Sequence, residues 1–346
     1  MKRETRNCSN SWWSKNLCLG AVLVFVMVAG QLLAAPTAMA AKKEYNVGVL
    51  LYNDSRLSTL AGFREEMDKH EKEEGYTVVY DLKNAGADRP RLAEMAIEII
   101  ASRPDVAIAC GGLEADALKE ASAGTSVPVV FLAVSAAVDR GLAVEMTHPG
   151  GNLTGIETND AILSGKRLWY LTKLLPDAKR VLVFHIPSIG ASVESLEAAR
   201  TAAAELGLEL TVIEVANIEE LKQAAQKITP AITDVVLLTP LAPLDATQKE
   251  LFLPLSLLQK IPVMGYNEGS VNRGAFASYA GSRKEMGRQA VNLVHKLWQG
   301  TPVAGMAIET PEQIEFIINR WMIIRLGLKL PKSSWKMADK IVDIAF

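Results

Sequence analysis

Polar and aromatic residues stand where the apolar, strand-like runs of this sequence end. Hydroxyl and amide groups, together with backbone N–H groups that open a helix, hold small polar molecules through hydrogen bonds. In an open sheet of parallel strands, ligands bind beyond the carboxyl ends of the strands. These positions therefore predict a binding site for a small organic molecule. Its candidate residues are Tyr52, Asn53, Ser55, Gly112, Leu113, Ser135, Ser188, Leu241, Tyr266 and Glu268.

Within this set, Ser135 and the N–H groups near Gly112 and Leu113 are expected to supply hydrogen bonds on one side of the site. Tyr52 and Tyr266 are the candidates for an aromatic wall, with packing in the core as the alternative for each. Trp169 is a further candidate, although its place in a helical pattern favours core packing.

The motifs of common enzyme classes are absent from the sequence, which has no G-x-S-x-G, G-x-x-x-x-G-K, G-x-G-x-x-G or H-E-x-x-H. The histidines His70, His148, His185 and His295 are scattered, and the prediction is that none has a second ligand at a recognised metal-binding spacing. Cys110 has no histidine near it in sequence and is typical of a small buried apolar residue. We expect no catalysis, no cofactor and no metal site.

The elements that must position these residues alternate between short apolar runs and longer amphipathic stretches. In the first half, the apolar runs cover residues 45–52, 76–82, 105–110 and 127–134, and helical patterns separate them. Strands this apolar, separated by helices, predict βαβ units and a parallel sheet covered on both faces.

The same alternation starts again near residue 164. Helical patterns now separate apolar runs at 180–186, 208–215, 234–239 and 261–266. Two successive series predict an α/β protein with two Rossmann-like lobes, and the alternative is one continuous wide sheet.

The segment "HPGGNLTGIETND" at residues 148–160 lies between the two series. Its glycines Gly150, Gly151 and Gly155 can take backbone angles that other residues avoid. The segment is either an ordinary surface turn or a hinge between the lobes.

The first forty residues have the pattern of a secretory signal peptide. A basic start precedes an uncharged apolar run from Leu17 to Ala35, and Ala38-Met39-Ala40 is a small-residue cleavage pattern. We expect cleavage after Ala40, an N-terminus at Ala41 and a periplasmic location. The apolar run is also long enough to span a bilayer, so a retained anchor is the alternative.

Removal of this segment, with its four basic residues and one acid, changes the formal charge from −2 to −5. A mildly acidic protein has no electrostatic reason to bind nucleic acid. Cys8 and Cys18 leave with the segment, so Cys110 has no intramolecular disulfide partner.

Several blocks of the sequence resemble the ABC-transporter substrate-binding proteins of the type 1 periplasmic-binding fold, in the subgroup that includes tryptophan and tyrosine binders. The resemblance runs from about Tyr45 to Val342. The blocks are "VPVVFLAV", "HPGGNLTGI", "KRLWYLTKLLPDAKRVLVF", "IPVMGYNEGSVNRGAFASYAGSRKEMGRQA" and "LGLKLPKSSWKMADKIV".

The resemblance implies two lobes that are joined by three crossover segments and close around a ligand. One lobe would comprise residues 45–153 and 281–312, and the other residues 157–276 and 318–346. The hinge crossovers would lie near 152–157, 275–281 and 313–319.

One departure from the family pattern concerns the ligand. Family members commonly carry Asp-Pro after the Val-Ser that ends the fourth strand, whereas Ala136 and Ala137 follow Ser135 here. This departure argues against an ammonium contact at that position. The predicted ligand is a small carboxylate- or amide-bearing organic solute, with amino acids as the leading class.

The resemblance thus implies a monomeric, non-catalytic binding protein that delivers a small organic solute to an ABC permease in the inner membrane. The alternatives are a membrane-anchored ligand-sensing ectodomain and an exported small-molecule enzyme.

Overall fold

The computed structural model describes residues 43–241 and 247–346. The predicted signal peptide, its cleavage site and the apolar run 17–35 lie outside the described residues. Among the helices that the structure does describe, none combines the length and the apolar character needed to cross a membrane.

The first half of the chain forms a five-stranded parallel sheet with strand order β2-β1-β3-β4-β5. The adjacent inner strands β3 and β4 are buried along their whole length, as their unbroken apolar sequences predict. The strands are β1 Glu44–Leu51, β2 Thr77–Asn84, β3 Val106–Ala109, β4 Val129–Val134 and β5 Leu153–Glu157, and the helices are α1 Leu57–Glu74, α2 Arg89–Ala101 and α3 Gly112–Ser122.

The second half forms a seven-stranded sheet with strand order β12-β11-β10-β9-β8-β6-β7. The strands are β6 Arg180–His185, β7 Glu209–Glu214, β8 Val235–Leu237, β9 Val263–Gly265, β10 Ala277–Gly281, β11 Ile314–Asn319 and β12 Lys340–Val342. The helices are α4 Ser164–Leu174, α5 Gly190–Leu206, α6 Ile218–Ala225, α7 Gln248–Gln259, α8 Glu268–Val271, α9 Arg283–Trp298, α10 Arg320–Leu326 and α11 Lys332–Met337.

The described residues form two separate sheets, which excludes the alternative of one continuous wide sheet for this part of the chain. The second sheet differs from a purely parallel sheet at one place, because β10 and β11 pair antiparallel. Each sheet has a separate apolar core on each of its faces.

The chain passes from one sheet to the other three times. After β5 it enters α4, whose residues Leu168 and Leu171 belong to a core of the second sheet. After β10 it enters α9, which packs with α1 in a core of the first sheet. After Ile308, which lies in a first-sheet core, it enters β11 of the second sheet. The C-terminal elements then stay with the second sheet.

The three glycines of the segment between the two halves have different environments. Gly150 has a φ of +79°, a backbone angle that favours glycine. A side chain at Gly155 would overlap the carbonyl oxygen of Phe131 on the neighbouring strand β4, whereas Gly151 has open space around it. Local backbone geometry at Gly150 and close packing at Gly155 thus account for these two glycines without a hinge. The hinge therefore stays a prediction.

The helices α1 and α9 approach each other closely through two glycines. A Cβ at Gly62 would overlap the carbonyl oxygen of Lys284, and a Cβ at Gly287 would overlap that of Thr59. The backbone atoms of two packed helices cannot move aside for an added methyl group, whereas the end of a flexible side chain could. The contact therefore requires glycine on both helices.

We expect Gly287→Ala to lower the free energy of unfolding by about 1–3 kcal/mol, because the added methyl group forces the two helices apart. Denaturant unfolding of both proteins measures this difference. The matched control is Gly151→Ala, which places the same methyl group in open space and should change stability by less than about 0.5 kcal/mol. Equal stabilities for the two variants would contradict the tight contact.

Candidate functional site

The residues that follow β1 are engaged in local hydrogen bonds. Tyr52 donates its hydroxyl to the carbonyl of Ala87 at 2.7 Å. Asn53 caps a short 3-10 turn at residues 54–56, since its side-chain oxygen accepts from the N–H of Ser55 at 3.0 Å. The Ser55 hydroxyl donates to the same oxygen at 2.6 Å. This strand end is therefore a fixed local structure, with Ser55 exposed on it.

A buried ion pair supports the start of α3. Glu114 is fully buried and accepts hydrogen bonds from the Tyr52 N–H at 2.8 Å and from Arg56 Nε at 3.0 Å. Gly111 lies directly against this pair, so that a Cβ there would be 2.7 Å from Glu114 Oε2 and 2.8 Å from Arg56 Nε. The pair therefore fixes both the end of β1 and the first turn of α3.

The predicted residues Gly112 and Leu113 open α3, and Arg140 lies beside them. A Cβ at Gly112 would be 2.9 Å from Nη2 of Arg140. The guanidinium is held by the carbonyl of Ser135 at 3.1 Å and by Asp116 at 2.6 Å. The start of a helix carries a partial positive charge, and the guanidinium beside it, although paired with Asp116, adds N–H donors there. A carboxylate is the ligand group that suits it.

Three carboxylates from different elements lie close to the loop that carries Arg140. Glu157, at the end of β5, accepts a hydrogen bond from the N–H of Ala137 at 2.9 Å. Burial raises the pKa of Glu157, and the negative charges of Glu194 and Asp139 raise it further against the effect of that hydrogen bond. Burial and the charge of Asp139 likewise raise the pKa of Glu194 on α5.

These acids belong to both halves of the fold. Asp139 follows β4 and Glu157 ends β5 of the first sheet, whereas Glu194 lies on α5 in the second half. Asp139 is so close to the first residue of α5 that a Cβ at Gly190 would overlap its carboxylate. A cationic group placed here would relieve the mutual repulsion of the carboxylates. The site therefore has a cluster of carboxylates close to the N–H donors of Arg140 and of the first turn of α3.

These acids were not predicted from the sequence, where a carboxylate was expected only directly after Ser135. The hydroxyl of Ser135 lies 2.8 Å from that of Thr158, at the ends of the adjacent strands β4 and β5. The loop that follows brings Ala137 against Glu157. Asp139 lies in the loop after Ser135 and can be identified in the sequence. No sequence signal places Glu157 or Glu194 beside it.

Two predicted residues of the second sheet pack in its core. Leu241 and Tyr266 are 1% and 3% exposed, and both belong to an apolar cluster with Phe184 and Phe252. The Tyr266 ring packs in this cluster, and its role as an aromatic wall stays a prediction. The Leu241 side chain packs in the same cluster, and its contact with a ligand also stays a prediction.

The other predicted residues of this half lie at the surface or at its edge. Ser188 is exposed in the loop before α5. Glu268 pairs with Lys340 at 2.6 Å. Trp169 lies under two lysines of its own helix, with the Lys166 ammonium 4.1 Å and the Lys173 ammonium 5.3 Å from the ring centre. Trp169 thus has cation–π partners at the surface of α4.

Cys110 is fully buried at the end of β3, and burial raises the pKa of its thiol. A thiol with a raised pKa does not form the thiolate that a nucleophile requires. The interpretation of Cys110 as a buried apolar residue is confirmed.

Arg167 joins three segments of the second half and was not singled out from the sequence. Its side chain is fully buried on α4. It donates to the carbonyls of Asp160 at 2.5 Å, Tyr266 at 2.8 Å and Tyr279 at 2.9 Å, and it pairs with the Asp160 carboxylate at 3.3 Å. One side chain therefore holds together the segment after β5, the end of β9 and strand β10.

Comparisons with known proteins agree with this architecture. The "Tyrosine-binding protein" of Clostridioides difficile (strain R20291) is 26% identical over 280 residues, which is 80% of this chain and 79% of that protein.

Two solved structures share the fold. An ABC domain from Streptococcus pneumonia in complex with L-Trp has a TM-score of 0.70 and 20% identity, and the match covers 87% of this chain and 100% of that one. A conserved domain protein from Vibrio cholerae has a TM-score of 0.69 and 21% identity, with 87% and 99% of the two chains covered.

The sequence model of the family described as "ABC transporter substrate binding protein" matches residues 44–342. The relatives bind solutes, in agreement with the expectation that this chain is not an enzyme. Because the match extends over nearly the whole described length, the chain belongs to the ABC transporter substrate-binding protein family.

Proposed function

We propose that this protein is the periplasmic solute-binding component of an ABC importer and that its solute is an amino acid. The family match over residues 44–342 carries the proposal. The loop after β4 of the first sheet also lies against the start of α5 in the second half. In this function, the signal peptide is removed after Ala40, and the protein acts as a monomer that delivers its solute to an inner-membrane permease.

The charges of the site support an amino acid as the solute class. The loop from Ser135 to Arg140 carries Arg140 beside the start of α3 and Asp139 beside Glu157. An α-amino acid is a zwitterion, so its carboxylate suits the first place and its ammonium group the second. The names of a tyrosine-binding relative and of an L-Trp-bound neighbour support the same class.

If every ligand contact came from the first half of the chain, the two halves would not need to move when the ligand binds. The carboxylates of Asp139, Glu157 and Glu194, however, come from both halves. The proposal therefore includes a hinge at the crossovers near 152–157, 275–281 and 313–319, with lobes of residues 45–153 with 281–312 and 157–276 with 318–346. The loop of Asp139 already lies against the start of α5, and closure around the ligand would place Asp139 and Glu194 at the same ammonium group.

Calorimetry with L-tyrosine, L-tryptophan and other L-amino acids tests this function. For the amino acid that binds most tightly, we expect the analogue that lacks the carboxylate and the analogue that lacks the ammonium group each to bind at least about tenfold more weakly. X-ray scattering of the same complex should show a more compact particle than the free protein.

Equal binding of the analogue without the ammonium group would contradict the amino-acid class. Native mass spectrometry of the purified protein is the independent control, because a retained molecule that is not an amino acid would also overturn it. Scattering curves that do not change on binding would contradict the hinge.

A further inference from the structure

Two histidines and a glutamate meet on the outer face of α1 and α9, away from the strand-end loops. Glu74 Oε1 lies 3.3 Å from Nδ1 of His70, one turn earlier on α1. The same oxygen lies 3.6 Å from Nδ1 of His295 on α9. The ligand atoms of the three residues are all within 4.8 Å of one another.

We propose that His70, Glu74 and His295 form a binding site for Zn²⁺. Zinc takes imidazole nitrogen and carboxylate oxygen at about 2.0–2.2 Å in tetrahedral geometry, which places neighbouring ligand atoms about 3.3–3.6 Å apart. The two distances to Glu74 Oε1 match this separation. Three protein ligands leave the fourth position of the tetrahedron to water.

The second nitrogen of each histidine ring supports the assignment. In zinc sites, the ring nitrogen that does not bind the metal is usually held by a carboxylate or another polar group. His295 Nε2 lies 2.8 Å from the hydroxyl of Tyr76. His70 Nε2 lies 3.9 Å from Glu66 Oε1, one turn earlier on the same helix. Both rings therefore present Nδ1 to the shared centre and Nε2 to an outer partner.

The packing below the cluster holds His295 and Tyr76 in place. Tyr76 is buried and contacts Tyr45 and Trp298 edge to face, with ring centres 5.5 Å apart in each pair. Tyr45 and Trp298 are stacked at 3.7 Å. The histidine that comes from α9 is thus supported by an aromatic cluster and needs little ordering when a metal binds.

An ordinary ion pair explains the cluster less well. The rings of His70 and His295 are 4.3 Å apart, so two protonated histidines would repel each other. Neutral histidine is the form that coordinates a metal.

The expectation that no histidine has a carboxylate at metal-ligand spacing is wrong for His70. Glu66 and Glu74 lie four residues before and after it, on the same helical face. The second histidine comes from a helix far along the chain, and only the packing of α9 on α1 brings it to the site. A bound ion would therefore tie these two helices together.

The test uses untagged protein that has been treated with a chelator, because a histidine tag would bind zinc itself. Competition with a coloured chelator measures the affinity for Zn²⁺ alone, and the visible absorption of added Co²⁺ reports tetrahedral nitrogen and oxygen ligands. We expect one ion per protein, with an affinity at least about tenfold weaker in His70→Asn and in Glu74→Gln. Both side chains are partly exposed, so these variants should fold.

The matched control is His148→Asn. His148 is an exposed histidine 2.9 Å from Glu145, so it forms a histidine–carboxylate pair without a second histidine. Zinc should bind this variant as it binds the wild type, and it should raise the unfolding temperature of both but not that of His70→Asn. No stoichiometric binding by the wild type, or unchanged affinity in His70→Asn and Glu74→Gln, would overturn the proposal.

Discussion

Arg167→Met is expected to lower the free energy of unfolding by about 3–5 kcal/mol, because breaking a buried ion pair by removing one partner is strongly destabilising. The substitution keeps an unbranched chain in the space but removes every hydrogen bond that the guanidinium donates. The carbonyls of Tyr266 and Tyr279 lose this donor inside the protein, and the Asp160 carboxylate loses the adjacent cation. Burial lowers the pKa of Arg167 to about 10, so the side chain is still protonated at neutral pH.

Equilibrium unfolding in urea measures this change, and far-UV circular dichroism shows whether the variant folds. Lys166→Met is the matched control, since Lys166 is an exposed residue on the same helix. Its substitution removes only exposed cation–π contacts and should change the free energy of unfolding by about 1 kcal/mol or less. An Arg167→Met protein as stable as this control would show that the carbonyls find other donors.

The alternation of apolar runs predicted an α/β fold and favoured two lobes over one continuous sheet, and the structure has two sheets. Strands such as β3 and β4 are buried on both faces, so their sequences are apolar throughout and differ from the amphipathic helices between them. The antiparallel pairing of β10 with β11 was not predicted, because a strand has the same alternating pattern in either direction.

The site was harder to predict because the direction of a side chain at a strand end depends on the backbone there. Tyr266 directly follows β9 and turns into the core beside Phe252, although its position after a strand favoured ligand contact. Ala136 has a φ of +55° in the loop after β4, and the carbonyl of Ala136 accepts from the N–H of Arg140. This tight turn places Asp139 and Arg140 where the sequence alone suggested only a short alanine segment.

Glu157→Gln is expected to weaken amino-acid binding about tenfold to a hundredfold and, at neutral pH, to stabilise the free protein. The amide still accepts a hydrogen bond from the Ala137 N–H but has no charge for the ammonium group of the ligand. The gain in stability follows from the pKa of Glu157, which is raised by burial and then by Glu194 and Asp139. Such a group contributes stability that is complete below its unfolded pKa and is lost as the pH rises through the folded pKa. At neutral pH the charge therefore opposes folding, and glutamine removes that cost.

The same charge gives binding an opposite pH dependence. Wild-type affinity should fall as the pH drops through the raised pKa of Glu157, since protonation removes the charge that attracts the ligand, and this fall should be much smaller in Glu157→Gln. Calorimetry with L-tyrosine or L-tryptophan, whichever binds more tightly, measures affinity, and thermal unfolding without ligand measures stability. Glu145→Gln is the control, because Glu145 is an exposed carboxylate whose pKa is lowered by hydrogen bonds from Thr147 and His148. If Glu157→Gln lowers stability and leaves affinity unchanged, Glu157 serves the fold and the prediction is wrong. If the variant is more stable and binds more weakly, the charge of Glu157 serves ligand binding at a cost in stability.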